Sequence, residues 1–332
     1  MLNHLSLTFM STNIPKEKWH DYIVAVESVE RYRDLSDQEK EMIARSILSK
    51  KYLDLRCDWA FKYVMQNKEV LTLLLRDFIS EDIDNVEMLP NEIGRLSEND
   101  KNIIMDVLCR TKSGQKFIVE MQRDKKVSFQ NRMFYYGASM MHSQLGKKGD
   151  YNNLMPVYVI CFMDFKLKHD TDQLVYRYMM MERDSGELYN NLLTICLCEL
   201  PRLKSTRIEG MNDIESWFYI LENIHNFAGE PGDLGKRFTQ VMEVAQTDAL
   251  PDKNKLQYLQ AMVSESERLD IGQAYFEDGL EEGIAKGEAM GLAKGEAKGR
   301  EQMAEAMRLK GMSEEDIQQI LELAKNSALA NE

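Results

Sequence analysis

The stretch DVLCRTKSGQKFIVEMQ, residues Asp106 to Gln122, reads as two strands around a short polar turn. Its apolar run is broken by one acid on each arm, Asp106 and Glu120. A hairpin needs neither acid in order to fold. If Lys112, Ser113 and Gly114 form a three-residue loop with Gly114 in the left-handed conformation, Thr111 faces Gln115 and Asp106 falls directly opposite Glu120. Opposed side chains in an antiparallel pair have Cβ atoms about 4.5–5.5 Å apart. Two carboxylates that close repel each other unless a proton or a cation sits between them. Gln122 shares the parity of Glu120, so its amide emerges on the same face.

That arrangement suits a hard divalent ion. Mg²⁺ takes oxygen ligands, commonly one or two carboxylates, and keeps several waters. Asp106 and Glu120 are the expected ligands, with the Met121 carbonyl as a third and Gln122 placed to bond a water or a phosphate oxygen. Such an ion polarises a phosphoryl oxygen and makes a hydroxide nucleophile from water. The opposite face, with Val107, Cys109, Phe117 and Val119, is expected to be the buried one. The competing reading is an edge hairpin whose solvated face happens to carry acids. A two-residue loop would slip the register by one and dissolve the opposed pair.

Composition bounds the setting. The 332 residues, 44% hydrophobic and 29% charged, fit a soluble, well-cored protein of one large domain or two ordinary ones. No apolar run is long enough to span a bilayer, and the N-terminus has no basic region ahead of a cleavage site, so a cytoplasmic location is expected. Five cysteines (57, 109, 161, 196 and 198) form an odd set without a C-x-x-C pair, which reads as buried free thiols in a reducing compartment. The net charge of −13 argues against a surface that coats nucleic acid throughout. It is unevenly spread, however. Residues 101–148 hold ten Lys and Arg against three acids, whereas residues 265–332 hold eight against sixteen. The basic charge surrounds the hairpin and fits a phosphate-binding patch or an ordinary solvated face.

The chain divides by pattern into four parts. Residues 1–50 form an N-terminal helical extension, with a capping box at Ser36 and Glu39. Residues 51–200 carry a helical segment at 57–80, a strand at 86–89, the hairpin, a helix of about five turns, and three β-rich runs, which implies a mixed sheet with helices against it. Residues 201–263 read as helical. From 264 to 332 the composition turns acidic, and glycine recurs at 279, 283, 287, 291, 295 and 299. Each glycine costs roughly 1 kcal/mol inside a helix. A spacing of four nevertheless traces one stripe that lets another backbone approach, so this tail reads either as a self-pairing helix that makes the chain a homo-oligomer or as a flexible arm.

With these elements in place, a resemblance emerges. The run IIMDVLCRTKSGQKFIVEMQ resembles the metal-binding core of the PD-(D/E)XK nuclease superfamily, and its E-x-Q ending resembles the recombination-promoting nuclease and transposase-related family. The upstream DWAFKYVM is similar to that family's D-x-x-F-K helix start, and FQNRMFYYGASM to its helix after the hairpin. The likeness covers roughly residues 55–165, with the tail matching in style; the first 50 residues are not accounted for. It implies a restriction-endonuclease-like α-β-β-β-α-β core of mixed α/β class that hydrolyses DNA with Mg²⁺ or Mn²⁺. Asp106 and Glu120 become metal ligands, and Gln122 stands where the superfamily has lysine.

That departure puts activity in question, with Lys101 or Lys116 as sources of the missing charge. Asp58 is either a further site acid or the N-cap of its helix. Lys62 and Arg132 are candidate phosphate contacts, and Glu92 is an acid placed to approach the metal. Two functional classes are compatible with these residues: a metal-dependent DNA endonuclease of mobile-element or recombination type, and a catalytically inactive nuclease-fold module that binds nucleic acid or protein.

Overall fold

The computed structural model describes residues 18–79, 83–93, 103–145, 149–205, 208–229 and 232–329. Helices α1 (Trp19–Glu27) and α2 (Asp37–Leu48) open the fold, and α2 starts on the reciprocal Ser36–Glu39 capping box. Trp19, Tyr22, Val26 and Leu48 enter the larger of two apolar clusters, so these helices share one core with the sheet and its helices.

The next segment is two helices rather than one, α3 (Asp58–Met65) and α4 (Lys68–Phe78). Asn67 makes the break, because its side chain accepts from the Glu69 and Val70 amides and caps α4. The N-cap of α3 is Cys57, so Asp58 is the first helical residue and not the cap.

A six-stranded sheet forms the centre. Its members are β1 (Val86–Met88), β4 (Val107–Thr111), β5 (Lys116–Gln122), β6 (Val157–Met163), β7 (Val175–Tyr178) and β8 (Leu193–Glu199), while β2 (Glu92–Ile93) and β3 (Ile103–Ile104) make a separate ribbon. The spatial order is β1-β4-β5-β6-β8-β7. The β4–β5 hairpin is antiparallel, β5, β6 and β8 run parallel, and helix α5 (Phe129–His142) crosses from β5 to β6.

The hairpin closes as the loop count predicts. Gly114 has φ 96°, Thr111 N–H donates to the Gln115 carbonyl at 3.0 Å, and Val107 pairs with Val119. Continued by one residue, that register sets Asp106 across from Glu120.

One expectation about the faces is overturned. Val107, Cys109, Phe117 and Val119 are buried against α3, α4 and α6 (Asp213–Asn223), but the other face is buried too. Leu108, Ile118 and Val159 pack there against Phe129, Met133 and Met140 of α5. β4 and β5 are interior strands, so the solvated edge-hairpin reading fails. Helix α5 lies close because Gly137 carries no side chain; a Cβ there would stand 2.6 Å from Leu193 Cδ1.

The five cysteines are buried and free, and Cys196 and Cys198 share one face, as their spacing predicts. Helices α7 (Gly232–Arg237), α8 (Thr239–Val244), α9 (Asp252–Leu309) and α10 (Glu314–Leu329) complete the chain. Residues to Glu267 form one compact unit, and those from Arg268 a second. In the second unit a Cβ added to Gly287, Gly291, Gly295 or Gly299 would meet nothing within 4 Å among the described residues apart from its own helix backbone, so these four positions are open. Among the described residues no helix is long and apolar enough to cross a membrane.

Candidate active site

Strand β4 begins at Val107, so at Asp106 the backbone ladder stops and carboxylates take over its role. Asp106 N–H donates to Glu120 Oε1 at 3.0 Å, and Met121 N–H donates to Asp106 Oδ2 at 2.9 Å. Each acid satisfies an amide that the departing strand leaves behind. Both are buried, Asp106 to 8% and Glu120 to 2% exposure.

Lys62 answers part of this charge. From the second turn of α3 its ammonium reaches Asp106 Oδ1 at 2.9 Å and Asp58 Oδ2 at 2.9 Å. Burial would lower the Lys62 pKa, but the charges and hydrogen bonds of Asp106 and Asp58 outweigh it and raise it. One cation does not neutralise the cluster. Burial, then the Asp58 charge, pushes the Asp106 carboxyl above the ordinary range despite Lys62. Burial and the Asp106 charge push Glu120 up in the same way, with Arg132 and Lys62 opposing.

Helix α5 closes the site from the other side. Arg132 Nη2 donates to Gln122 Oε1, and Gln122 Nε2 donates to the Met121 carbonyl at 2.8 Å. Arg132 Nε is buried and has no hydrogen-bond partner among the described residues. One turn on, Tyr136 donates to the Ile104 carbonyl at 3.4 Å; burial and the Glu120 charge raise its phenol. Tyr136 was not foreseen. The signal was available, because it follows Arg132 by four residues on the same helix face.

The remaining candidates separate clearly. Lys116 pairs with Arg110 at the far end of β5, four residues or roughly 13 Å from Glu120, and cannot supply the missing charge. Lys101 lies outside the described residues, as do Lys147 and Lys148 of the basic stretch. Glu92 is exposed on the β2–β3 ribbon and makes no hydrogen bond or ion pair with Asp106 or Glu120 among the described residues.

Beside the acids runs a second ionic cluster that the sequence did not reveal. Asp54 accepts from Arg56 Nη2 at 2.9 Å, and Asp164 lies 3.7 Å from Arg56 and 3.6 Å from Arg123. Glu265 of α9, 4% exposed, accepts Arg123 Nη1 at 3.1 Å and the Asp58 backbone N–H at 2.9 Å. It thereby caps the start of α3, where Cys57 makes no side-chain cap bond.

A metal is tested by the donor set. No group of three His, Cys, Asp or Glu side chains converges as a metal site among the described residues. Asp106, Glu120 and the Met121 carbonyl nevertheless offer oxygen donors only, and with Asp58 the three acids outnumber the two cations, Lys62 and Arg132. A hard cation that keeps several waters fits them.

The mixed sheet with an acid pair at the end of its central hairpin defines a restriction-endonuclease-like nuclease fold. The chain belongs to the PD-(D/E)XK nuclease family transposases, whose family model matches residues 55–270. That match runs past the sheet and takes in α6, α7, α8 and the start of α9, including Glu265. No curated protein and no solved structure matches the chain. Membership supports a nuclease role tied to mobile elements, with DNA as the substrate class and a divalent metal as the general cofactor of such enzymes.

Proposed function

We propose that this chain is a DNA endonuclease that hydrolyses phosphodiester bonds with Mg²⁺ or Mn²⁺. The observation that supports it most is the buried, under-compensated pair Asp106 and Glu120, flanked by Lys62 and Arg132. Asp106, Glu120 and the Met121 carbonyl would hold the ion, which supplies charge stabilisation at phosphorus and a more acidic water. Lys62 brings the ammonium that Gln122 lacks, from α3 instead of from β5. Arg132, with its free buried Nε, offers the scissile phosphate a planar donor pair. Gln122 acts through Arg132, holding the guanidinium over the strand end.

A catalytically inactive DNA- or protein-binding module is the second reading, favoured by the neutral Gln122 in the lysine position. Plasmid nicking with Mg²⁺ or Mn²⁺ separates the two, comparing the parent with Asp106→Asn and Glu120→Gln. Nicking should fall about a thousandfold or more in both variants, roughly 4 kcal/mol of barrier. A parent that binds plasmid but never nicks it would sink hydrolysis. The open glycine stripe supports a further proposal, self-association through the tail. Light scattering of a chain ending at Glu267 should then show a smaller assembly than the full chain, and an unchanged assembly size would refute it.

A further inference from the structure

Helix α5 buries one apolar stripe and leaves two aromatic rings exposed on its outward side. The inner stripe, Phe129, Met133 and Met140, is buried in the core. The exposed rings are Phe134 and Tyr135, 57% and 48% exposed, and Val127, ahead of the helix, is exposed as well. Consecutive on the helix, Phe134 and Tyr135 diverge by about 100° across its outward side. Arg132 and Tyr136, which face the acid pair, stand between the buried stripe and Tyr135, so Tyr135 borders the site and Phe134 lies on the far flank of the helix. Lys125 and Lys126, both exposed, precede it.

Exposed aromatics on a helix that also reaches a phosphate-handling centre, with two exposed lysines ahead of it, have a specific use. Rings of this kind stack on nucleobases, and neighbouring lysines follow the sugar–phosphate backbone. In a duplex each base is already stacked within the helix. A base free to lie on Tyr135 or Phe134 therefore belongs to an unpaired strand.

We infer that the outer face of α5 binds single-stranded DNA next to the cleavage site, with Phe134 and Tyr135 as base-stacking residues and Lys125 and Lys126 as phosphate contacts. This rests on the nuclease reading and narrows it: the preferred substrate has an unpaired strand, as in a flap, an overhang or a melted end. A protein surface, including a second copy of this chain, is the alternative occupant; the lysines favour the polyanion.

The test uses the full chain in EDTA, so that binding is read without cleavage. The probes are a fluorescein-labelled single strand of mixed sequence, about 20 nucleotides long, and the same sequence as a duplex, followed by anisotropy. The parent should bind the single strand more tightly. Replacing both Phe134→Ala and Tyr135→Ala should weaken single-strand binding about tenfold or more and duplex binding by less than about twofold. Tyr135→Trp should keep single-strand affinity, whereas Lys125→Ala with Lys126→Ala should weaken both probes alike. Equal loss on both probes, or none, in the aromatic double variant overturns the inference. So does a parent oligomer that the double variant dissociates while single-strand affinity stays unchanged. A parent that selects the single strand yet never nicks with Mg²⁺ supports this surface and retires hydrolysis alone.

Discussion

Two buried acidic clusters lie side by side at the end of the central strands, and they solve the same electrostatic problem in opposite ways. Around Asp54, two guanidinium groups answer three carboxylates, with the His225 ring 3.8 Å from Asp54. Burial would raise the Asp54 carboxyl, but hydrogen bonding and charge from Arg56, with His225 and Arg123, hold it below the ordinary value. Around Asp106 the balance fails, and both carboxyls are pushed up. The first cluster ties elements together through Asp54 and Glu265, although burial still raises its Asp164 carboxyl. In the second, both acids at the strand end are raised. Strongly perturbed acids beside a basic flank are where the proposed chemistry is placed, and the neighbouring network is read as architecture.

The largest effect that would sharpen this contrast is on stability. Arg123→Met should leave Asp54, Asp164 and Glu265 short of a partner and cost about 3–5 kcal/mol in urea unfolding. A loss below about 1 kcal/mol would show that the cluster is not the lock described. Lys62→Met comes next. It should lower kcat for nicking by roughly ten- to a hundredfold, and saturating Mg²⁺ should recover more of the melting temperature in this variant than in the parent. Equal recovery in both would separate Lys62 from the acid pair.

The smallest effect is a pH dependence confined to the first cluster. The folded Asp54 carboxyl titrates below its unfolded value of about 3.9. Its contribution to stability is thus present in full above about pH 5 and is lost as pH falls through the lower, folded value. The stability difference between the parent and Asp54→Asn should shrink below about pH 4, as the folded Asp54 carboxyl is protonated. A difference that does not change with pH would break the comparison.

Much of this was legible from local pattern, because local pattern fixes strand parity and turn type. The three-residue loop with Gly114 set the register, and the register set Asp106 opposite Glu120. The α3–α4 break was equally local, written in Asn67, and was missed because the apolar spacing runs through it. What pattern could not supply was the covering of the second face. Leu108 and Ile118 share parity with the acids and hinted at burial, but only the crossover α5 makes that face interior. Glu265 was out of reach altogether. It meets Arg123 across 142 residues of chain, and no periodicity links the two. Lys62 was readable as a cation one helical turn from Asp58, while its contact with Asp106 depends on how α3 packs on the sheet.

The carboxylates that replace ladder partners at the end of β4 bind the chemistry of this centre to its main chain. Taking away either side chain entirely strands an amide in the interior, so truncation to alanine would register as local unzipping as well as lost reactivity. The side-chain amides of asparagine and glutamine keep an oxygen that can take the same bond. In this architecture the proposed metal-binding groups are also stitches in the sheet, and a chain that cleaves nothing would still have reason to keep their shapes.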